Sequence, residues 1–388
     1  MNKKICMIAY SNFSTDPRIR RESETLAEHG NEVNFLVLSE GINPKSYKMN
    51  GVNIIELKIR KHQGEKSSSY FLPYLKFLVL ASWHCSKLFL RRKVDVVHVH
   101  NMPNFLVLAG IFPRLLGRKI ILDIHDSVPE TYGGKFGRMP KALYKLLCLE
   151  ESFCCGFANR LICVNDIQRE KLLTRGIPAA KMSVLLNVPD HKIFKYENKK
   201  QNNHKRTFDL VFHGTIDKIL GIDLAIEAVS RLVRDIPGIH LHILGKGRNL
   251  EEFEKLSEML NIKDRVHFSK KSYPVESIPN LLQNMDLGII PNKRNIATEL
   301  MLPVKMMEYV AIGIPVVSVR LKTIEHYFPD NMVTYFEPEN VESMANAILE
   351  LYRNENKRQD QVINARKFIE RYGWEKHQME LINLYQSL

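Results

Sequence analysis

Met301-Leu-Pro-Val-Lys-Met-Met-Glu-Tyr-Val-Ala-Ile-Gly-Ile-Pro-Val-Val317 reads as a loop, a short helix, a stop and a buried strand. Pro303 suits a first helical position, where its missing N–H would be unpaired in any case. Met306, Met307, Val310 and Ala311 fall near helical spacing and give the helix an apolar face. Gly313 can take the left-handed conformation that ends it. Ile314-Pro-Val-Val317 then predicts a strand with Pro at its start, where no ladder donor is lost.

Two charges sit oddly in this frame. Lys305 falls in the first turn, where the helix dipole disfavours a cation. Glu308 lies one turn on, beside the apolar face. A helix start is a natural anion site, and Lys305 would strengthen it. A carboxylate at Glu308 can accept two hydrogen bonds from a vicinal diol such as a ribose. A solvated Lys–Glu pair on a surface helix is the plainer alternative, and these residues alone leave both open.

The pattern Pro-x-Lys-x-x-Glu-Tyr-x-Ala-x-Gly-x-Pro-Val resembles the C-terminal donor-site motif of family 4 glycosyltransferases. The resemblance implies an α/β chain of the GT-B fold: two Rossmann-like doubly wound domains facing a deep cleft. It implies that Glu308 binds the ribose of a nucleotide sugar. It also implies that the segment Met301, Leu302, Pro303 and Val304 holds the diphosphate, with Lys305 beside it. Many relatives carry a second Glu eight residues before the first. That position here is Leu300, with Glu299 adjacent, which bears on the grip of the sugar ring.

Working outward, the 388 residues suffice for two domains. The formal charge of +13 is uneven: residues 1–190 hold 28 Lys/Arg against 17 Asp/Glu. The basic half favours an anionic partner. All six Cys lie in that half, without C-x-x-C pairing and in apolar contexts. They predict free thiols and a reducing, cytoplasmic setting. Lys3 and Lys4 precede only a short apolar run to Tyr10, which reads as a first strand and not a signal peptide.

The first half alternates strands and helices. Lys4-Ile-Cys-Met-Ile-Ala-Tyr10 is continuous apolar, as expected of a parallel strand buried on both faces. Asp16-Pro17 opens a helix as cap and first residue, Gly30 closes it, and 33–38 is the next strand. Asp16-Pro-Arg-Ile-Arg-Arg-Glu22 resembles the first-helix motif of a subset of the same family and puts Asp16 and Arg18 on the acceptor side. Arg20 and Arg21 read as exposed. Residues 70–90 are long and apolar, interrupted by Pro73, Lys76, His84 and Lys87, and followed by Arg91-Arg-Lys93. They predict an amphipathic helix that either lies on an anionic bilayer or simply covers a sheet, not a membrane span. Residues 95–100 and 119–124 read as strands, with a helix over 105–116 between them. His125-Asp126 stands at the end of the second strand, where doubly wound sheets bind ligands. The resemblance makes His125 the residue directed at the donor sugar and Glu130 an acidic partner on the acceptor side. Residues 132–138 read as a flexible basic loop.

A polar, charged stretch at 191–206 predicts a linker. The alternation then restarts, with a strand at 208–213, Gly214 after it, and a helix from Ile222. A Gly after a strand lets backbone approach a phosphate. Relatives place Gly-Arg and later Lys-Gly here to neutralise the diphosphate. This chain has Thr215 and Leu220, leaving Gly214, Thr215 and Lys218 as the donor-side candidates. No Asp-x-Asp occurs, so a metal-independent reaction without a further cofactor is expected.

The expected organisation is an acceptor domain over 1–190, a linker over 191–206, a donor domain over 207–370, and a last helix over 371–388 packing back on the first domain. The expected activity is a retaining transfer from a nucleotide diphosphate sugar, uridine by family frequency, to a glycan or lipid-linked glycan in cell-surface polysaccharide synthesis. The setting would be cytoplasmic, peripheral on the inner membrane face, with no nucleic-acid partner. The alternatives are a nucleotide-sugar epimerase or glycosyl phosphorylase on the same fold, and a non-catalytic nucleotide-binding subunit of a polysaccharide-assembly complex.

Overall fold

The computed structural model describes residues 2–60, 71–137, 139–196 and 207–388. They form two compact units, Met1–Asn187 with Glu375–Leu388, and Val188–Trp374.

The strands of the first unit are β1 (Lys4–Ala9), β2 (Glu32–Leu38), β3 (Ser46–Met49), β4 (Val52–Leu57), β5 (Val96–His100), β6 (Lys119–Ile124), β7 (Arg160–Cys163) and β8 (Met182–Val184). Its helices are α1 (Pro17–Glu28), α2 (Phe71–Leu90), α3 (Ile111–Leu115), α4 (Val128–Phe136), α5 (Lys141–Phe157) and α6 (Asp166–Thr174). The sheet order is β3-β4-β2-β1-β5-β6-β7-β8. All neighbours are parallel except the β3–β4 hairpin. The order reverses between β1 and β5, so the strand ends Ala9, His100 and Ile124 surround the switch point where such sheets bind ligands. The apolar runs of β1 and β5 are buried on both faces, as parallel strands require. One face, carrying Cys6, Ile8, Val97, Val99 and Leu122, packs against Phe77 and Ala81 of α2, Leu106 and Val107 of the segment before α3, and Cys154 of α5. All six cysteines are free thiols, and only Cys148 is not buried.

Three local expectations change. The single helix over 105–116 is a 3-10 run, Asn104–Gly110, followed by the short α3. Gly110 lies so close to the sheet that an added Cβ would stand 2.8 Å from Ile120 Cδ1. The loop over 132–138 is largely helical, because Pro129 and Glu130 in the first turn of α4 favour a helix start and the Gly133-Gly134 pair does not break it; Arg138 lies outside the described residues. Arg21 is buried, its Nη2 donating to Asn187 Oδ1 at 3.2 Å.

The second unit holds β9 (Phe208–His213), β10 (Ile239–Leu244), β11 (Val266–Phe268), β12 (Leu287–Ile290), β13 (Val316–Val319) and β14 (Thr334–Phe336). Its helices are α7 (Ile222–Leu232), α8 (Leu250–Met259), α9 (Ile278–Leu282), α10 (Val304–Ile312), α11 (Lys322–Tyr327), α12 (Val341–Arg353) and α13 (Glu355–Tyr372), and α14 (Trp374–Gln386) carries the chain back into the first unit. The order β11-β10-β9-β12-β13-β14 is wholly parallel. In local terms it is 3-2-1-4-5-6, with its switch point between the ends of β9 and β12. The start of the stretch expected to be a linker is packed: Phe194 is buried, and the Tyr196 ring lies against Gly313 and under Arg366. Residues 197–206 of it lie outside the described residues.

Candidate functional site

In the second unit the motif helix α10 is seated by its own tyrosine. Pro303 is its N-cap and not its first helical residue, and Gly313 ends it at φ +79°. The Tyr309 ring lies where a side chain on Gly288 of β12 would be, since an added Cβ would stand 2.4 Å from Tyr309 Cδ2. That passage through the β12 glycine carries the hydroxyl to the end of β9. There it meets Val211 O at 3.2 Å, accepts from His213 N at 3.2 Å, and lies 2.9 Å from His213 Nδ1. The other imidazole nitrogen, Nε2, is 2.6 Å from Glu308 Oε2. A carboxylate is an acceptor only, so Nε2 carries the proton and donates. Glu308 therefore stands at the switch point with one oxygen fixed by His213 and its carboxylate almost wholly buried.

Lys305, one turn back, lies with its ammonium 3.6 Å from the centroid of the Phe212 ring and beside Gly214, where an added Cβ would stand 3.6 Å from Nζ. Burial pushes the ammonium down to about 7, with the Glu308 carboxylate pulling the other way. Gly214 has φ +107°, a conformation that L side chains rarely adopt. The glycine turn after β10 closes on this loop: an added Cβ on Gly245 or Gly247 would stand 1.9 Å from Gly214 O or Ile216 O. Ile216 N donates to Lys246 O, and Arg248 Nη2 reaches Asp217 Oδ2 at 2.9 Å. Lys246 and Arg248 are thereby brought beside the loop, two cations that the linear reading passed over. Thr215 is exposed. Lys218 is committed elsewhere, its Nζ 2.8 Å from Glu252 Oε1. Met301 and Leu302 lead in extended backbone to Pro303 and Val304 at the helix start. The first-turn amides of a helix have no partner within it and suit an anion. Glu299, adjacent to the replaced position Leu300, accepts from Lys322 N at 2.7 Å and pairs with Arg294 at 2.9 Å, so it holds the start of α11.

In the first unit the focus is Asp123, the penultimate residue of β6, with no exposed surface. Arg18 grips it bidentately, Nε to Oδ2 at 3.0 Å and Nη2 to Oδ1 at 2.9 Å, and its Nη1 donates to Leu185 O. His125 Nε2 lies 2.9 Å and His100 Nδ1 3.1 Å from the same Oδ2. The backbone of His125 is fixed too: Asn101 Oδ1 accepts from His125 N at 2.8 Å, and Asn101 Nδ2 donates to Asp126 O at 2.7 Å. With Nε2 turned inward, Nδ1 is the nitrogen His125 has left to offer a ligand. Burial opposes the imidazolium, but the Asp123 charge outweighs it and raises the His125 value. Burial likewise opposes the Asp123 charge, and Arg18 and His125 hold it well below the usual carboxylate range nonetheless. Burial lifts Glu22, 3.0 Å from Arg18 Nε, to about 7.

Of the three acceptor-side residues, one keeps its expected capping role and two are turned inward. Asp16 caps α1, its Oδ1 accepting from Ile19 N at 3.4 Å. Arg18 is buried, its guanidinium held by Asp123, Glu22 and Leu185 O, and does not reach outward. Glu130 is buried in a knot between α4, α5 and α6, pairing with Arg175 and accepting from Tyr144 at 2.6 Å, because the helix at 128–136 turns it inward. Among the described residues, Glu22, His98, His100 and Asp123 form a buried group with metal-ligand chemistry. The Arg18 guanidinium already pairs with both of its carboxylates.

Residues 194–368 match the family described as Glycosyl transferases group 1, and residues 18–192 match Glycosyltransferase Family 4. The chain is 22% identical over 309 residues to chitobiosyldiphosphodolichol beta-mannosyltransferase from Candida albicans, an alignment covering 73% of this chain and 67% of that protein. Among solved structures it resembles sucrose-phosphate synthase from Thermosynechococcus elongatus, with TM-score 0.79, 16% identity and 99% of both chains covered. It also resembles Anabaena HepE, solved in complex with UDP, with TM-score 0.74, 13% identity, and 99% and 100% covered. The two Rossmann-like units with their switch-point clusters, and the family matches that span them, make this chain a family 4 glycosyltransferase of the GT-B fold.

Proposed function

We propose that this glycosyltransferase moves a sugar from a uridine diphosphate sugar, with retention of configuration, to a lipid-linked glycan at an anionic membrane face during cell-surface polysaccharide synthesis. The observation that carries the donor assignment is the Glu308 carboxylate held at the β9–β12 switch point by His213, with Lys305 beside it. The free lone pairs of Glu308 accept from the ribose hydroxyls. Lys305, the loop Gly214–Thr215 and the helix start at Met301–Val304 receive the diphosphate, and Lys218 joins them only by leaving Glu252. The relative from Candida albicans is named for a lipid-linked acceptor, and HepE was solved with UDP, which supports the choice of substrate classes.

The chemical step needs charge stabilisation on the departing diphosphate, which fixed amides and a lysine supply without reorganising. The acceptor hydroxyl oxygen bonds to the anomeric carbon from the leaving-group side. The bond from that carbon to the phosphate oxygen breaks with its electron pair on the oxygen, and that oxygen takes the hydroxyl proton. No protein nucleophile is required. His125 orients the donor sugar through Nδ1, while Asp123 and Arg18 act through it as positioning residues.

The test is transfer from UDP-, GDP- and ADP-linked sugars with chelator present, and the anomeric configuration of the product by NMR. Transfer from a UDP sugar with the donor's configuration retained is expected. An inverted product overturns the retaining mechanism, and a preference for a GDP or ADP sugar overturns the donor assignment.

A further inference from the structure

Three neighbouring helices of the first unit turn large apolar side chains outward. They bury one face against the sheet: Phe77, Ala81 and Cys85 of α2, the segment before α3, and Cys154 and Cys155 of α5 belong to the same core cluster. A helix of that kind ordinarily shows a polar face to solvent. Here α2 instead exposes Leu72 (73%), Leu75, Val79, Trp83 (57%) and Leu90 at helical spacing. Next to it, α3 exposes Phe112 and Leu115 (78%). Beyond that, α5 exposes Leu146, Leu149 (67%) and Phe153. Side-chain contacts join the helices: Phe89 of α2 packs edge-on against Phe112 of α3, and Arg114 of α3 lies over Phe157 of α5. The patch is therefore one surface, and contiguous exposed apolar side chains mark an interaction site.

Its charge is of one sign. Lys76, Lys87 and the exposed Arg91-Arg-Lys93 belong to or follow α2, Arg118 and Lys119 follow α3, and Lys145 lies on the outer stripe of α5. Residues 71–93 contain no acid, none occurs in α3, and the two carboxylates of α5 turn inward, Glu150 to Asn104 and Glu151 to Arg175. Asp95, after α2, is matched by Arg118. No helix among the described residues is long and apolar enough to cross a membrane.

We propose that the outer face of α2, α3 and α5 is a docking surface for an anionic lipid bilayer, with Leu72, Trp83, Leu115 and Leu149 entering the headgroup region and the lysines and arginines meeting lipid phosphates. Apolar side chains among cations, the bordering carboxylates Asp95 and Glu32 being paired with Arg118 and Lys93, match such a surface in both respects. A second copy of this chain fits poorly, because an isologous contact would set the same cations against each other with no carboxylate to answer them. The proposal deepens the lipid-linked acceptor reading, and the residues it uses are separate from those assigned to the donor.

The test is flotation of the full chain with vesicles of phosphatidylglycerol in phosphatidylcholine, and with phosphatidylcholine alone. Binding to the anionic vesicles, weakened by salt, is expected. Trp83 is exposed whereas Trp374, the only other tryptophan, is buried, so a blue shift and quenching by brominated lipid report Trp83 entering the bilayer. The double variant Leu72→Glu with Leu149→Glu should lose vesicle binding by roughly tenfold or more, since it places two carboxylates on the lipid-facing side. It should keep the wild-type circular dichroism and UDP affinity. If the variant fails to fold, bromolipid quenching of the wild type decides alone. Absent flotation, unquenched Trp83, or a variant that floats like the wild type overturns the proposal. So does a wild-type dimer that the double variant splits without any vesicle binding, which would assign the face to a second copy. Loss of UDP binding in the wild type, with flotation intact, would count against the donor reading and not against this surface.

Discussion

His213 donates to Glu308 across 2.6 Å, the imidazole itself being set by the Tyr309 hydroxyl on its other nitrogen. Three residues from two elements thus form one device. Tyr309 fills the space left by Gly288, fixes the end of β9, and turns His213 to hold the carboxylate at the switch point. Replacing His213 by Phe removes a hydrogen bond to a charged group, worth about 1.5–3 kcal/mol. UDP affinity should fall by a corresponding factor of roughly ten or more. Calorimetry on the variant checks this, and His213→Gln should recover part of the loss.

Placing a side chain on Gly288 tests the same device from the sheet. Gly288→Ala forces Tyr309 from its seat, because the added Cβ would stand 2.4 Å from the ring. Overpacking of this kind costs about 1–3 kcal/mol. Thermal unfolding should shift downward and UDP binding should weaken together with it.

Lys305 gives donor binding a pH dependence. Its ammonium is pushed down to about 7 by burial, so in the free protein it loses its proton as pH rises through that value. A bound diphosphate favours the protonated form and raises the value. The expected sign follows: affinity is full below pH 7 and declines above it, and binding at pH 8 takes up a proton. Calorimetry in two buffers of different ionisation enthalpy measures that uptake directly. Lys305→Met should abolish the uptake and weaken UDP binding.

Asp123 carries a second pH signature. It holds its negative charge beside Arg18 and raises the His125 imidazolium. With Asp123→Asn that support disappears, and His125 should titrate at lower pH. The pH profile of kcat for sugar transfer should move with it, while UDP affinity stays at the wild-type value. Arg18→Met leaves the buried Asp123 carboxylate without its guanidinium and should cost about 3–5 kcal/mol of stability.

Glu130 separates an internal role from one at the acceptor. It is buried against Arg175 and Tyr144. Glu130→Ala should lower the unfolding temperature, because the Arg175 guanidinium loses one of its two buried carboxylates and keeps only Glu151, and leave KM for acceptor unchanged. A raised KM in a variant of wild-type stability would restore the acceptor-side assignment.

The alternation of buried strands and helices was legible because parallel strands must be apolar on both faces, as in 4–9 and 96–100, and because Asp16-Pro17 and Gly313 are chemically specific ends. The motif helix was legible for the same reason. Its partner His213 was not, because the contact spans 95 residues and depends on Tyr309 passing over Gly288. Arg18 illustrates the opposite failure. Its sequence context suggested a side chain reaching a ligand, yet its guanidinium is spent on Asp123, 105 residues away. Arg21 was misjudged, since charge predicts exposure until a specific partner, here Asn187, stands ready inside, and Glu130 is likewise turned inward, to Arg175. The helix at 128–136 was missed because adjacent glycines mimic a loop while Pro129 and Glu130 start a turn.

The most direct test of the donor site is calorimetric titration of UDP, with chelator present, into the wild-type chain and into Glu308→Gln. Glu308→Gln should keep the fold and lose the charged acceptor for the ribose hydroxyls. Wild-type binding in the micromolar range with at least about tenfold weaker binding to the variant is the expected result. Equal affinity for the two proteins would contradict the assignment of Glu308 as the residue that holds the nucleotide.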